Sequence, residues 1–471
     1  MGGVGRWALL VGLAGAAVLT VLGVRHAVRE GWTSWEDDAS LAQLNGVWRS
    51  RGYGWLWEID GRRVRAFDES GLYCVARPDL RRQLLDEEVA LSADKRSLKV
   101  SLFDPAYRFT FDRIETLPAA CTRTPDASPL AVVDALGQIF SAHYAFFKTR
   151  SVDWPGLLAA ARRNIRPGIS EADLLAELGA LLAHIDDDHV TLSARIAGEG
   201  YECNPGEARL LRPADAAAWE KEGRSEHRVG DLQAGVWARQ DTDRLLGDTG
   251  HTTANGNIKY GLIGGDVGYL SLLSMEDFDA SDDDDEPALQ EALDDALTLF
   301  QGARAVIVDV SLNDGGEDRL ARVAAARFAA KPTRIYSKYA GDVPPADVRG
   351  GAPQAIDLEP SKRPRFTGPV YLMTSNITVS AAEIFTMAMR ALPNVTHVGQ
   401  TTRGALSDVL TMQLPNGWLV TLSNEVYLDA AGKAWEGRGI PPALAIPVFE
   451  NGSDPAVSHA LALRAVLARI D

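Results

Sequence analysis

The chain of 471 residues sets 64 Asp and Glu against 48 Lys and Arg, a formal net charge of -16. It nowhere interleaves a Lys/Arg stripe with aromatics, so nucleic acid is excluded as an expected partner. With 46% apolar and 24% charged residues it can bury more than one core, and two or three globular domains are expected. Cys74, Cys121 and Cys203 are too few and too scattered for a metal site, and no cofactor is implied.

Residues 1–35 carry an apolar run from Trp7 to Val24 with Arg6 before it and Arg25 and Arg29 after it. That is just enough to span a bilayer, and no small-x-small cleavage site follows. The segment reads as a membrane anchor, or as a signal, that leaves the bulk of the protein extracytoplasmic, periplasmic or secreted. Residues 40–125 read as a β-rich domain: "GVWRSRGYGWLWEIDGRRVRAFDESGLYCVA" alternates apolar with polar residues and breaks at "IDGRR" and "DESG". Cys74 and Cys121 both fall here and, outside the cytoplasm, are candidates for a disulfide, with free buried thiols the alternative.

A helical region is expected over 126–195. "SPLAVVDALGQIFSAHYAFFKTR" opens with Ser128 and Pro129 as cap and first turn. "ISEADLLAELGALLAHI" opens with Ser170 and Asp173 in capping-box spacing and lines up Leu174, Leu175, Leu178, Leu181, Leu182 and Ile185. Residues 196–257 are polar and read as an irregular connector. From 258 to 450 the texture is α/β: "DVGYLSLL", "ARAVIVDV", "GPVYLMTS" and "NVTHVGQ" are short strands apolar on both faces, separated by helical stretches. The acidic run from Met275 to Pro287 lacks calcium-loop spacing and reads as a solvated loop. Residues 451–471 close the chain as a helix with Asp454 and Pro455 at its start.

Functional groups in α/β folds collect where strands end. Ser380 falls between β-branched Thr378 and Val379 and a run of helix formers. A serine so placed is ordinarily an N-cap. "VDVSLNDGG" ends its strand in Gly315 and Gly316, whose exposed amides, with that of Ala381 at the helix start, suit an oxyanion hole, although such glycines are ordinarily a turn. A serine nucleophile needs a base. Of eight histidines, His189 alone follows a helix and three aspartates in a presenting turn. His184 and His189 with Asp186 to Asp188 are an alternative metal set, but fit no zinc helix motif.

"VSAAEIF", "VDVSLNDGG", "HIDDDHVTL" and "LPNGWLVTLSNEVYLDAAGKAWEGRGIPP" together resemble the tail-specific (C-terminal-processing) serine peptidase family, from about residue 128 to 448. The resemblance implies a crotonase-like α/β core, a polypeptide substrate, Ser380 as nucleophile, and the Gly315–Gly316 turn with the Ala381 amide as oxyanion hole. Better-known members use a lysine base; the aligned position here is Ala405, and the nearby Arg403 does not deprotonate. The chain therefore resembles the tricorn-like Ser-His-Glu branch, whose histidine and late glutamate match His189 and Glu436. No PDZ-type domain is evident between helices and core. A non-catalytic binder on the same fold, as in the retinoid-binding repeats of the interphotoreceptor matrix, and a hydrolase of non-peptide esters or amides are the competing readings.

Overall fold

A computed structural model describes residues 33–34 and 41–470, apart from 72, 79–87, 103, 105, 205–241, 282–283, 342–352 and 450–453. The N-terminal residues expected to anchor the chain lie outside the described residues. Among the described residues no helix is long and apolar enough to cross a membrane.

The alternating N-terminal stretch forms one eight-stranded antiparallel sheet. Its strands are Thr33–Ser34 (β1), Gly46–Ser50 (β2), Trp55–Asp60 (β3), Arg63–Ser70 (β4), Tyr73–Ala76 (β5), Glu88–Leu91 (β6), Ser97–Ser101 (β7) and Phe109–Ile114 (β8), in the order β1-β6-β7-β8-β2-β3-β4-β5. The "IDGRR" break is a tight hairpin in which Asp60 faces Arg63 and Gly61 takes φ +58°, a conformation glycine adopts without a side-chain clash. Trp48 opposes Trp57 across β2 and β3, and both are buried. Cys74 on β5 is disulfide-bonded to Cys121, and Cys203 is a free thiol.

Three helices follow, Pro129–His143 (α1), Trp154–Asn164 (α2) and Glu171–Leu182 (α3). Ser170 caps α3 by accepting from the Asp173 amide at 3.1 Å, and Leu174, Leu178, Leu181 and Leu182 turn into the core. The region expected to be helical ends in a strand, and the connector is not irregular at its start. Thr191–Ile196 (β9) and Glu199–Cys203 (β10) form a hairpin, and β9 pairs with Leu419–Ser423 (β20), which pairs with Val409–Gln413 (β19). The alternation of Leu192 and Ala194, both buried, is too short to stand out in the sequence; its partner strand arrives more than two hundred residues later.

The core sheet runs His251–Thr253 (β11), Ile258–Ile263 (β12), Val267–Leu272 (β13), Ala305–Asp309 (β14), Val370–Thr374 (β17), Val395–Gly399 (β18) and Leu444–Ala445 (β22), parallel from β13 onward. Every residue of β13 and β14 is buried, as expected of parallel strands covered on both faces. A three-stranded sheet of Thr333–Ala340 (β15), Gln354–Leu358 (β16) and Glu425–Asp429 (β21) lies beside it. The remaining helices are Thr242–Leu246 (α4), Asp285–Leu299 (α5), Asp318–Ala325 (α6), Ala381–Arg390 (α7) and Pro455–Ile470 (α8). Part of the acidic run serves α5, whose N-cap is Asp284 and whose first turn holds Asp285 and Glu286, where carboxylates meet the positive end of the helix dipole. In α7 every residue but Arg390 is buried, so the helix that starts at Ser380 is an internal one.

Candidate active site

Neighbouring parallel strands β14 and β17 end side by side, and the two chain segments that leave them are stitched together. Thr378 Oγ1 donates to the Val310 carbonyl at 2.8 Å, Ser375 Oγ to the Ser311 carbonyl at 2.5 Å, and the Val379 amide to the Asn313 carbonyl at 3.3 Å. The result is contact between the two motifs: a Cβ on Gly315 would lie 2.6 Å from the Ser380 Cβ and 3.2 Å from its Oγ. Only glycine fits there, and Gly315 has φ +110° besides.

Ser380 is not a helix cap. Its side chain makes no capping hydrogen bond, and its backbone sits at φ +57°, ψ -128°, a region costly to any residue with a side chain. Its amide donates to the Ala405 carbonyl at 3.0 Å. A strained strand-to-helix turn that frees a serine hydroxyl is the arrangement a nucleophile needs. Two residues were expected to offer glycine amides to an oxyanion, and the structure separates them. The Gly315 amide is taken by Asn313 Oδ1 at 2.9 Å, while Gly316 follows it in the same turn and Ala381 opens the helix after Ser380.

Glu383, three residues past Ser380, sits at the glutamate position of a capping box but does something else. It is fully buried and accepts from the Thr402 hydroxyl and from the amides of Gly404 and Ala405, each amide at 2.8 Å. Burial pushes its carboxyl up to about 7, against those three donors. Glu383 thus shapes the 402–405 loop whose Ala405 carbonyl receives the Ser380 amide.

That loop also carries the histidine side. The Arg403 amide donates to the Thr378 carbonyl at 2.9 Å, while its guanidinium reaches Asp188 at 2.8 Å and Asp186 at 3.4 Å. Two of the three aspartates before His189 thus face the Arg403 guanidinium, and no group of three or more residues able to hold a metal occurs among the described residues. The third, Asp187, is buried; it accepts from the His189 amide at 3.0 Å, Ser423 Oγ at 3.0 Å and Tyr144 at 2.8 Å. The His189 carbonyl accepts from Thr421 at 2.7 Å, and its Nδ1 is buried with no hydrogen-bond partner among the described residues.

Glu436 reaches the same loop from the other side and makes no hydrogen bond to His189. Its Oε1 accepts from Arg150 at 2.7 Å, and its Oε2 from the amides of Leu406 at 2.8 Å and Ser407 at 3.0 Å. Burial, then the neighbouring Asp187, pushes its carboxyl up to about 8, and Arg150 pulls the other way. Arg150 stands between Asp187, 3.4 Å away, and Glu436. Neither Arg150 nor Glu383 is singled out by the sequence: the first follows a helix with nothing to mark it, and the second is concealed by cap spacing. Among the described residues no lysine joins this constellation. Lys433 lies 3.6 Å over the Trp435 ring, and Lys338 is kept charged by Glu425 and Asp408 despite its burial.

Comparison with known proteins bears on these segments. Residues 266–446 match the model of Peptidase family S41. A carboxy-terminal processing protease, CtpA, of Bacillus subtilis is 27% identical over 152 residues, covering 32% of this chain and 30% of that protein; the match thus spans less than a third of the relative's length. A candidate peptidase of Parabacteroides merdae superposes with a TM-score of 0.58 at 24% identity, over 73% of this chain and 97% of that one. Mature CPAF, in complex with lactacystin, does so with a TM-score of 0.52 at 13% identity, over 73% and 98%. Both are likenesses of fold, a multi-domain α/β arrangement. The stretch that matches the Peptidase family S41 model supplies Ser380, the 313–316 turn and Glu436.

Proposed function

We propose that this protein is a serine endopeptidase acting through an acyl-enzyme, with Ser380 as nucleophile, His189 as general base and Glu436 as supporting carboxylate. The observation that carries the reading is the uncapped, positive-φ Ser380 packed against Gly315, in the turn that continues into Gly316, at the start of the helix that Ala381 opens. His189 takes the Ser380 proton as Oγ attacks the scissile carbonyl, and the developing oxyanion accepts from the amides of Gly316 and Ala381. Collapse expels the amine, which leaves with the proton held by His189. Water then attacks the acyl ester, gives its proton to His189, and Ser380 is restored. Glu436 acts through the loop: it holds the Leu406 and Ser407 amides next to the Ala405 carbonyl that receives the Ser380 amide.

The family match and the likeness to a carboxy-terminal processing protease support a polypeptide substrate cut toward its carboxyl end. We read the core as crotonase-like, supported by the parallel β13, β14, β17 and β18 with α5, α6 and α7 between them in the chain. We also place the protein outside the cytoplasm, supported by the Cys74–Cys121 disulfide and the apolar N-terminal segment. Membrane fractionation tests that placement, and recovery in the soluble cytoplasm would overturn it.

Activity-based labelling with a fluorophosphonate tests the chemistry. Wild-type protein should label at Ser380, and cleavage of an unstructured polypeptide should be lost on labelling. Labelling without peptide cleavage would shift the reading to a hydrolase of other acyl compounds, and no labelling to a binding protein on the same fold.

A further inference from the structure

Helix α6 begins at Asp318, two residues beyond Gly316, so whatever fixes its first turn also fixes the turn beside Ser380. On one side that turn is held by Met275, whose amide donates to the Gly315 carbonyl at 2.6 Å and whose carbonyl accepts from Glu317 at 3.0 Å. On the other side the hold comes from outside the core. Tyr107, in the β7–β8 connection of the N-terminal sheet, donates its hydroxyl to Asp318 Oδ2, which also accepts from Tyr427 at 2.8 Å. Asp104, in the same connection, receives a two-pronged bond from Arg322, one turn further along α6, at 2.6 and 2.5 Å. Arg322 also reaches the Tyr107 hydroxyl at 3.3 Å, and the Tyr336 hydroxyl lies 2.9 Å from it. Tyr107 is 3% exposed, with the Lys338 ammonium 3.2 Å from its ring centre.

We infer that the N-terminal sheet is a positioning device for the oxyanion site: Tyr107, through Asp318, and Asp104, through Arg322, set the placement of α6 and hence of the Gly316 amide. The inference rests on the reading of Ser380 and its flanking amides as an acyl-transfer site. It gives the N-terminal sheet, for which no catalytic cluster is legible, a defined task. Geometry favours it over a general packing role. The contacts are directional hydrogen bonds to two residues on one face of one helix, and that helix is joined to Gly316 with no flexible linker between. Asp318 needs these donors to stay ionised, because burial and then Asp408 push its carboxyl up to about 6, against Lys338, Tyr107 and Arg322.

The test is Tyr107→Phe, which keeps the ring over Lys338 and removes only the hydroxyl, alongside Asp104→Asn; Asp318→Asn and the double variant Tyr107→Phe/Asp318→Asn complete a cycle, all in the full chain. Peptide turnover should fall about tenfold in kcat with KM unchanged, since misplacement of a donor by a fraction of an ångström acts on the transition state. Amide hydrogen exchange in a peptide covering 311–320 should quicken in Tyr107→Phe and in Asp104→Asn. The double variant should be no worse in kcat than Asp318→Asn alone, because the two residues act in series. Unchanged exchange over 311–320, a rise in KM at constant kcat, or full additivity in the double variant would each overturn the linkage. Exchange reads the linkage without catalysis. A wild-type protein that neither labels nor cleaves, yet shows the exchange response, would therefore refute the peptidase reading and leave the mechanical link standing.

Discussion

The two halves of the candidate site are built by different means. The Ser380 half comes from two adjacent strand ends, β14 and β17, and is held by short-range backbone and hydroxyl hydrogen bonds and by glycines that admit close approach. The His189 half is assembled from residues 150, 186–189, 403 and 436, and is held mainly by charges: Asp187 to Arg150 to Glu436, and Asp188 to Arg403. The first half, with Arg403 and Glu436, lies within the S41 match; residues 150 and 186–189 lie outside it. A half made of backbone bonds survives single side-chain changes in fold while losing chemistry. A half made of buried charges loses fold and chemistry together, because removing one partner strands the other in low dielectric.

The sharpest break of that contrast is Ser380→Ala. It should abolish labelling and turnover and leave thermal stability nearly unchanged, because the side chain makes no capping bond. Ser380→Gly should be equally inactive but more stable than Ser380→Ala by about 1 kcal/mol, since glycine relieves the positive φ. Labelling at wild-type level in either variant would move the nucleophile elsewhere. His189→Ala should follow, losing orders of magnitude in turnover as bases of acyl-transfer sites do, with the protein still folded because the backbone bonds to Asp187 and Thr421 do not need the ring. Arg150→Ala should instead cost about 3–5 kcal/mol of stability by leaving Asp187 buried without its counter-charge and Glu436 Oε1 without its donor. A denaturation midpoint within error of wild type would show that the charges are not what holds this half.

How much of this was legible follows the same division. Ser380, Gly315, Gly316 and Ala381 stand out because strand-end chemistry is local: β-branched residues, then glycines or helix formers, within a few positions. His189 is visible as a presented histidine after a helix, but its neighbours are not. Thr421, Arg403 and Arg150 reach it or its aspartates from β20, the 402–405 loop and the end of the helical region, and no spacing rule connects such positions. The β9–β10 hairpin was hidden for the same reason, its partner being β20. That the Gly315 amide is already engaged could not be read from the sequence, because it depends on where the Asn313 side chain turns.

Glu383 belongs to the Ser380 half by sequence but is a buried carboxyl, and its pH response separates the two modes. Its folded-state carboxyl titrates near 7 against an ordinary 4.5, so the native state binds the proton more tightly than the unfolded chain. Its stabilising contribution is full below about 4.5 and lost as pH rises toward 7, at up to about 1.4 kcal/mol per pH unit. Glu383→Gln should therefore flatten the decline of stability over that window, measured by urea unfolding at a series of pH values. The decline due to Glu436 has the same sign, runs on toward 8, and should remain. An unaltered slope would mean that Glu383 stays ionised and is an anchor for the 402–405 amides alone.

The smallest effect is expected at Lys433, and it decides between two kinds of base. Lys433 is the lysine nearest Glu436 in sequence, yet its ammonium rests over the Trp435 ring, on an exposed turn. A lysine can serve as base only if its pKa is brought down by burial near the nucleophile. Lys433 is exposed, and the buried Lys338 is driven the other way by Glu425 and Asp408. Lys433→Ala should thus leave kcat, KM and the pH profile of turnover unchanged, with at most a fraction of a kcal/mol lost from the exposed cation–π contact. Should Lys433→Ala be inactive while His189→Ala still turns over, proton transfer would run through a displaced serine–lysine pair, and the charged half of the site would be a structural frame without a base in it.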